Sequence, residues 1–206
     1  NFFHPLVHFL ILGVNGAFLT GDLFNVFVFF EVLLIASYSL LMHAGDKQNT
    51  RAALQYVILN LVGSSVFLIG LGILYGVLGT LNIADMTQKV ALLTGDDVYL
   101  AKAGGLLLLV VFALKAALLP LHLWLPNTYA SAKPVVAALF AIMTKVGVYA
   151  MLRVYTVIFG EQAGDRLVGL VTTADARAAG HQNGINVFAC HERLEQGPHR
   201  RRFIGH

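Results

Sequence analysis

Four side chains in this sequence could move a proton. Glu31, Lys115 and Lys145 each sit inside a long apolar run, and His122 follows Lys115 by seven residues in "ALKAALLPLHLWLP". A carboxylate, two amines and an imidazole all donate and accept protons, and none is at home in hydrocarbon. An ionised side chain at the centre of a bilayer costs about 2.5–3.5 kcal/mol even on a lenient insertion scale.

Two plainer explanations come first. A lysine near a span end can lift its ammonium to the headgroups on its apolar stem. Lys115 lies about 12 residues into its run, about 18 Å deep at 1.5 Å per residue, which is beyond that reach. Lys145 is about ten residues in and Glu31 about eight, measured against a span of about 20. A structural ion pair that locks two helices uses Glu31 and one lysine but leaves the other lysine unexplained. A relay uses all three. Burial disfavours a charged ammonium and a nearby carboxylate favours it, so moving Glu31 toward or away from a lysine switches its protonation.

Pro120 fits the same reading. It offers no N–H to the carbonyl of Ala116 and its ring clashes there, which predicts a helix broken at Pro120. Backbone freed at mid-depth is tolerated where it lines a hydrated cavity. His122 shares the face of Lys115 if the helix stays continuous, and histidine exchanges protons near neutral pH. Its other reading is a satisfied core or interface residue. Trp124 and Pro126 read as the interface and the end of the span. Asn60, Ser64, Ser65 and Tyr38 read first as helix-packing groups, with holding water beside the relay as the other reading. His4 and His8 share a helix face without further ligands, so neither a metal site nor a cofactor is expected.

The elements that must position these groups are membrane helices. Five apolar stretches, near 2–19, 23–43, 53–79, 103–125 and 135–159, are long enough to cross a bilayer. β-Barrel strands would alternate apolar and polar at half this length, whereas "VFVFFEVLLIASYSLL" is apolar on every side. The expected fold is therefore an all-α membrane protein of about five transmembrane helices. Lys47, Arg51 and Lys133 fall in short loops that read as cytoplasmic, and the connection from 80 to 102, with Asp85, Asp96 and Asp97, reads as outside.

Composition agrees. Of the 206 residues 57% are hydrophobic and 12% charged, about half the charge of a soluble domain. The mean hydropathy is +0.73. A net charge of +3 without a basic face gives no footprint for nucleic acid, and the single cysteine, Cys190, excludes a disulfide framework. The opening at Asn1, with neither an initiator Met nor a signal peptide, reads as a start inside a longer protein.

Residue usage changes sharply after Gly160. Six of the eight arginines and half of the eight histidines follow it, and "HERLEQGPHRRRFIGH" offers no cap or period. The expected division is a membrane block over 1–160 and a polar tail over 161–206. That tail is either a small soluble extension or sequence foreign to the fold, such as a shifted reading frame.

The segments "GDLFNVFVFFEVLLIASYSLL", "YVILNLVGSSVFLIGLGILYGVLGTLN" and "FALKAALLPLHLWLPNTYASAKPVVAALFAIMTKVGVYAMLRVY" resemble the proton-conducting membrane transporter family. That family contains the antiporter-like subunits of respiratory complex I and the D-type subunits of the multisubunit Mrp/Pha cation/proton antiporters. The wording "FFEVLLIASYSLL" and "ALFAIMTKVGVYA" is closer to the D-type branch. The resemblance covers residues 1–160. It implies two inverted five-helix repeats, of which this chain looks like the first alone. It also implies a glutamate–lysine pair at Glu31 and Lys115, an onward lysine at Lys145, and the histidine of "PLHLWLP" at His122.

The function this implies is a proton-translocating subunit of a cation/proton antiporter, a transporter and not an enzyme. It would be embedded in the plasma membrane, partnered by the other antiporter subunits, and would handle protons and Na⁺ or K⁺. The rivals are a proton-pumping subunit of an NADH–quinone oxidoreductase and a non-conducting membrane scaffold. The chain has no Gly-rich dinucleotide loop and no cysteine set for Fe–S clusters, so under the first rival it would still bind neither.

Overall fold

The computed structural model describes residues 2–42, 47–118, 120–132 and 134–160, and among these the chain is helical. Helix α1 covers Phe3–Leu19, α2 Leu23–Met42, α3 Lys47–Leu78, α4 Ile83–Leu92 and α5 Asp96–Lys115. After a break come a 3₁₀ turn at Leu121–Leu123, α6 at Trp124–Ser131 and α7 at Pro134–Arg153, which runs on into a π-helical turn at Val154–Ile158. Among the described residues, four helical stretches are long and apolar enough to cross a membrane: Leu23–Met42, Ala53–Leu78, Asp96–Lys115 and Pro134–Ile158. The 17 residues of α1 are apolar but span only about 25 Å. The expected tail over 161–206 lies outside the described residues.

The boundaries differ from expectation: α3 begins at Lys47 rather than near 53, α5 ends at Lys115 rather than near 125, and α6 occupies much of the connection expected after 125. The connection from 80 to 102 holds a helix that hydropathy missed. Asn82 caps α4 by accepting the N–H groups of Ala84 and Asp85, and Ile83, Met86 and Val90 turn its apolar face inward. Those positions repeat at helical spacing behind a capping residue, so the signal was present in the sequence. Helix α5 likewise starts at Asp96, ahead of the apolar run, because Gly95 turns the chain at φ 65° and Asp96 and Asp97 suit a helix N-terminus.

In hydrocarbon, close backbone approach and interhelical hydrogen bonds hold helices together, because lipid tails are as apolar as leucine. The α3–α5 pair shows this. A Cβ on Gly104 would lie 2.9 Å from Leu74 Cγ and 3.3 Å from the carbonyl oxygen of Gly70, so the two helices meet where neither has a side chain. At one end of the bundle the starts of α2 and α4 are joined. Leu23 N–H donates to the Leu81 carbonyl at 2.9 Å and Ile83 N–H to the Gly21 carbonyl at 2.9 Å, forming an antiparallel bridge between Asp22 and Asn82. Asp22 also accepts the N–H groups of Phe24 and Asn25, as an N-cap does. The same end carries Tyr149 and Arg153 of α7, both of which donate to the carbonyl of Phe18.

Candidate functional site

The helix carrying Lys115 stops at Lys115 itself. Leu118 N–H reaches back to the Ala113 carbonyl at 2.9 Å and Ala117 N–H to the Leu114 carbonyl at 3.1 Å, while Ala117 takes φ 53°. This is the Schellman ending of a helix, with alanine at the left-handed position where glycine is usual. The chain has therefore left the helix three residues before Pro120, and the break expected at the proline falls at Ala116–Leu118. The indole Nε1–H of Trp124 donates to the same Leu114 carbonyl at 3.0 Å. Trp124 is thus a buried cap, stacked on Tyr56 with ring centroids 5.1 Å apart, and not the interface marker expected of it.

Helix α7 packs straight onto this break. A Cβ on Gly147 would lie 2.7 Å from the Ala116 amide nitrogen and 3.0 Å from the Lys115 carbonyl carbon, so only glycine fits there. With α7 behind it, the Lys115 side chain runs the other way, past Gly63 of α3, and only 4% of the residue is exposed.

On α3 the ammonium finds two acceptors: Ser64 Oγ at 3.2 Å and the Asn60 carbonyl at 3.5 Å. The Ser64 hydroxyl in turn donates to Glu31 Oε1 of α2. Lysine, serine and glutamate thus form one line across three helices, and Ser64 stands between the two ionisable groups. A hydroxyl has one proton to give and lone pairs to receive another, so it passes a proton from ammonium to carboxylate without moving its own heavy atom. Asn60 is held for its part by donating Nδ2–H to the Tyr56 carbonyl at 3.0 Å.

The structure brings Glu31 and Lys115 together as the sequence led one to expect, but places the other two candidates apart. Lys145 is exposed in this chain, on the face of α7 opposite the buried Met143, Thr144, Val146 and Gly147. His122 lies half-buried in the 3₁₀ turn beyond the break, so the continuous helix that would align it with Lys115 does not exist. Sequence reasoning missed the role of Ser64 and Asn60, which it read as packing groups. Their spacing of four put both on one face of α3, and that was the available signal. Ser65 beside them is exposed and bonds only the Leu61 carbonyl of its own helix.

The described residues thus form a helical bundle with a broken helix and an acid–hydroxyl–amine line at its core. The family described as "NADH:quinone oxidoreductase/Mrp antiporter, TM" matches residues 20–173, and the chain belongs to it. The match runs past Gly160, where the expected resemblance stopped. The chain is 49% identical over 162 residues to the D-type subunit of a probable K⁺/H⁺ antiporter of Rhizobium meliloti (strain 1021), covering 79% of this chain and 30% of that one. It is also 49% identical over 160 residues to the D-type subunit of a Na⁺/H⁺ antiporter of Bacillus subtilis (strain 168), covering 77% and 32%. Among solved structures it resembles the Mrp complex from Dietzia sp. DQ12-45-1b, with 40% identity and a TM-score of 0.72 over 81% of this chain and 31% of that one. The chain thus spans about a third of the length of the curated relatives it matches. It is a multi-pass protein of the cell membrane.

Proposed function

We propose that this chain is the proton-carrying segment of a D-type subunit in a multisubunit monovalent cation/proton antiporter, a transporter component and not an enzyme. The observation that carries the reading is the Lys115–Ser64–Glu31 line at the helix break. In the transfer, an Nζ–H proton passes to Ser64 Oγ as the serine gives its own proton to Glu31. This leaves a neutral amine, a restored hydroxyl and a carboxylic acid, with charge and protons conserved. Low local dielectric favours the neutral pair, and entering water or a rearranging neighbour favours the charged one. Lys145 is the onward acceptor and His122 the group exchanging protons beyond the break. The other subunits of the complex supply the coupling to Na⁺ or K⁺. Two relatives named for different cations are equally similar to this chain, so the exchanged ion stays at the level of a monovalent cation.

The test is cation-driven proton flux in vesicles carrying the whole complex. Lys115→Ala is expected to abolish it while assembly persists. Wild-type flux in an assembled Lys115→Ala complex would sink the reading.

A further inference from the structure

The three helices that supply the proton line repeat one pattern. Phe27 lies four residues before Glu31 on α2, Phe67 three after Ser64 on α3, and Phe112 three before Lys115 on α5. Spacings of three and four keep each phenylalanine on the face of its polar neighbour, one turn away. Because α3 runs opposite to α2 and α5, all three displacements point to the same end of the bundle, that of the Asp22–Asn82 bridge. The rings meet there. Phe67 lies 5.5 Å from Phe27, 6.3 Å from Phe30 and 5.2 Å from Phe112, and Phe30 lies 6.3 Å from Phe112, all between centroids. Phe30, Phe67 and Phe112 are at most 1% exposed, and the next turn holds buried Leu71, Leu74 and Leu108.

Toward the other end the same faces carry polar groups among further rings, Tyr56 packing on Trp124 at 5.1 Å and on Phe140 at 6.0 Å between centroids. Asn60 is one turn along α3, and one turn further the Tyr56 hydroxyl meets Ser37 Oγ at 3.0 Å. Tyr38 packs edge-on to Tyr56 at 5.1 Å, and the buried Tyr129 hydroxyl has no hydrogen-bond partner among the described residues. Hydroxyls and amides hold water in a crevice, whereas a ring of apolar side chains expels it.

We propose that Phe67, clamped by Phe27, Phe30 and Phe112, is a dry seal that leaves the Glu31–Ser64–Lys115 line open to water from one face only, that of the α2–α3 connection. A seal on one side is what prevents a proton-accepting line from short-circuiting the membrane. This rests on the reading above that the line carries protons, but the seal itself is measured without transport.

The experiment uses the assembled complex in vesicles, with Cys190 replaced by serine and a single cysteine introduced by Tyr56→Cys or Leu71→Cys. Both positions are on the inner face of α3 and nearly fully buried, on opposite sides of Phe67. A small cationic methanethiosulfonate applied from the α2–α3 face should modify Tyr56→Cys at least about tenfold faster than Leu71→Cys. Adding Phe67→Ala should make Leu71→Cys reactive from that face and produce a proton leak in the absence of Na⁺ and K⁺; Phe67→Leu should do neither. Equal labelling at the two positions with Phe67 in place overturns the seal. So does an assembled Phe67→Ala complex whose leak and Leu71→Cys labelling are unchanged. A Lys115→Ala complex that loses flux but keeps the labelling difference supports the seal separately from the relay, and one that keeps flux rejects the relay alone.

Discussion

Two lysines stand at similar depth in neighbouring helices, yet their surroundings are opposite. Lys115 ends α5, is 4% exposed and is gripped by Ser64 and the Asn60 carbonyl. Lys145 stands within the unbroken α7, on its outward face. The difference shows that depth along a span and direction around a helix are separate quantities. Hydropathy reports the first and leaves the second to packing. A buried ammonium whose acceptors are fixed is tied to one geometry.

Substitutions that keep the charge test that contrast most severely. Lys115→Arg places a planar, five-donor fork where a compact ammonium fits between Asn60 and Ser64. Cation-driven proton flux is expected to fall by about a hundredfold or more, as when a positioned proton-transfer group is lost. Lys145→Arg, on the open face, should assemble normally and retain far more flux than Lys115→Arg. Equal losses would erase the distinction between the two sites.

Removing the charge at the other end of the line comes next. Glu31→Gln keeps the shape but cannot take up the serine's proton as a carboxylate does, so it should reduce flux by about tenfold to a hundredfold. Glu31→Asp should lose less. If the glutamine transports as well as glutamate, the carboxylate is only a packing group.

Ser64 gives a third, finer measure. Ser64→Ala removes the bridging hydroxyl and should slow flux by about tenfold, whereas Ser64→Thr retains the hydroxyl and much of the rate. An alanine variant with normal flux would mean that Lys115 and Glu31 exchange protons without it.

The smallest effect concerns the turn after Lys115. An alanine in the left-handed region carries about 1–2 kcal/mol of backbone strain, and Ala117→Gly relieves it at the expense of a more flexible unfolded chain. The net gain should be about 1 kcal/mol or less in thermal unfolding of the purified complex. Ala117→Val should lower stability. A valine tolerated as well as glycine would refute the strained turn.

Much of this was legible in the sequence, for physical reasons. The five apolar runs located four span-length helices and the shorter apolar α1, because a bilayer imposes such lengths. Glu31 and Lys115 stood out because charge in hydrocarbon demands a reason. The break was misplaced because proline is visible in a sequence, while an alanine at positive φ carries no mark. Helix α4 was passed over because a ten-residue amphipathic helix falls below a span-length window, although Asn82 and its inward Ile83, Met86 and Val90 were there to be read. Ser64 was undervalued because a hydroxyl in a membrane helix usually bonds its own backbone, as Ser65 does. Only the approach of α5 shows that Ser64 faces two charges.

The bridge between Asp22 and Asn82 bears on how the chain is threaded into the membrane during synthesis. Its two halves flank α2 and α3, and they can meet only when both emerge on the same side of the bilayer. Two crossings between them satisfy that condition; one crossing, or three, would leave the partners on opposite sides. The two backbone hydrogen bonds at Leu23 and Ile83 therefore act as a parity check on insertion, closing only where the segments before α2 and after α3 lie on one side of the bilayer.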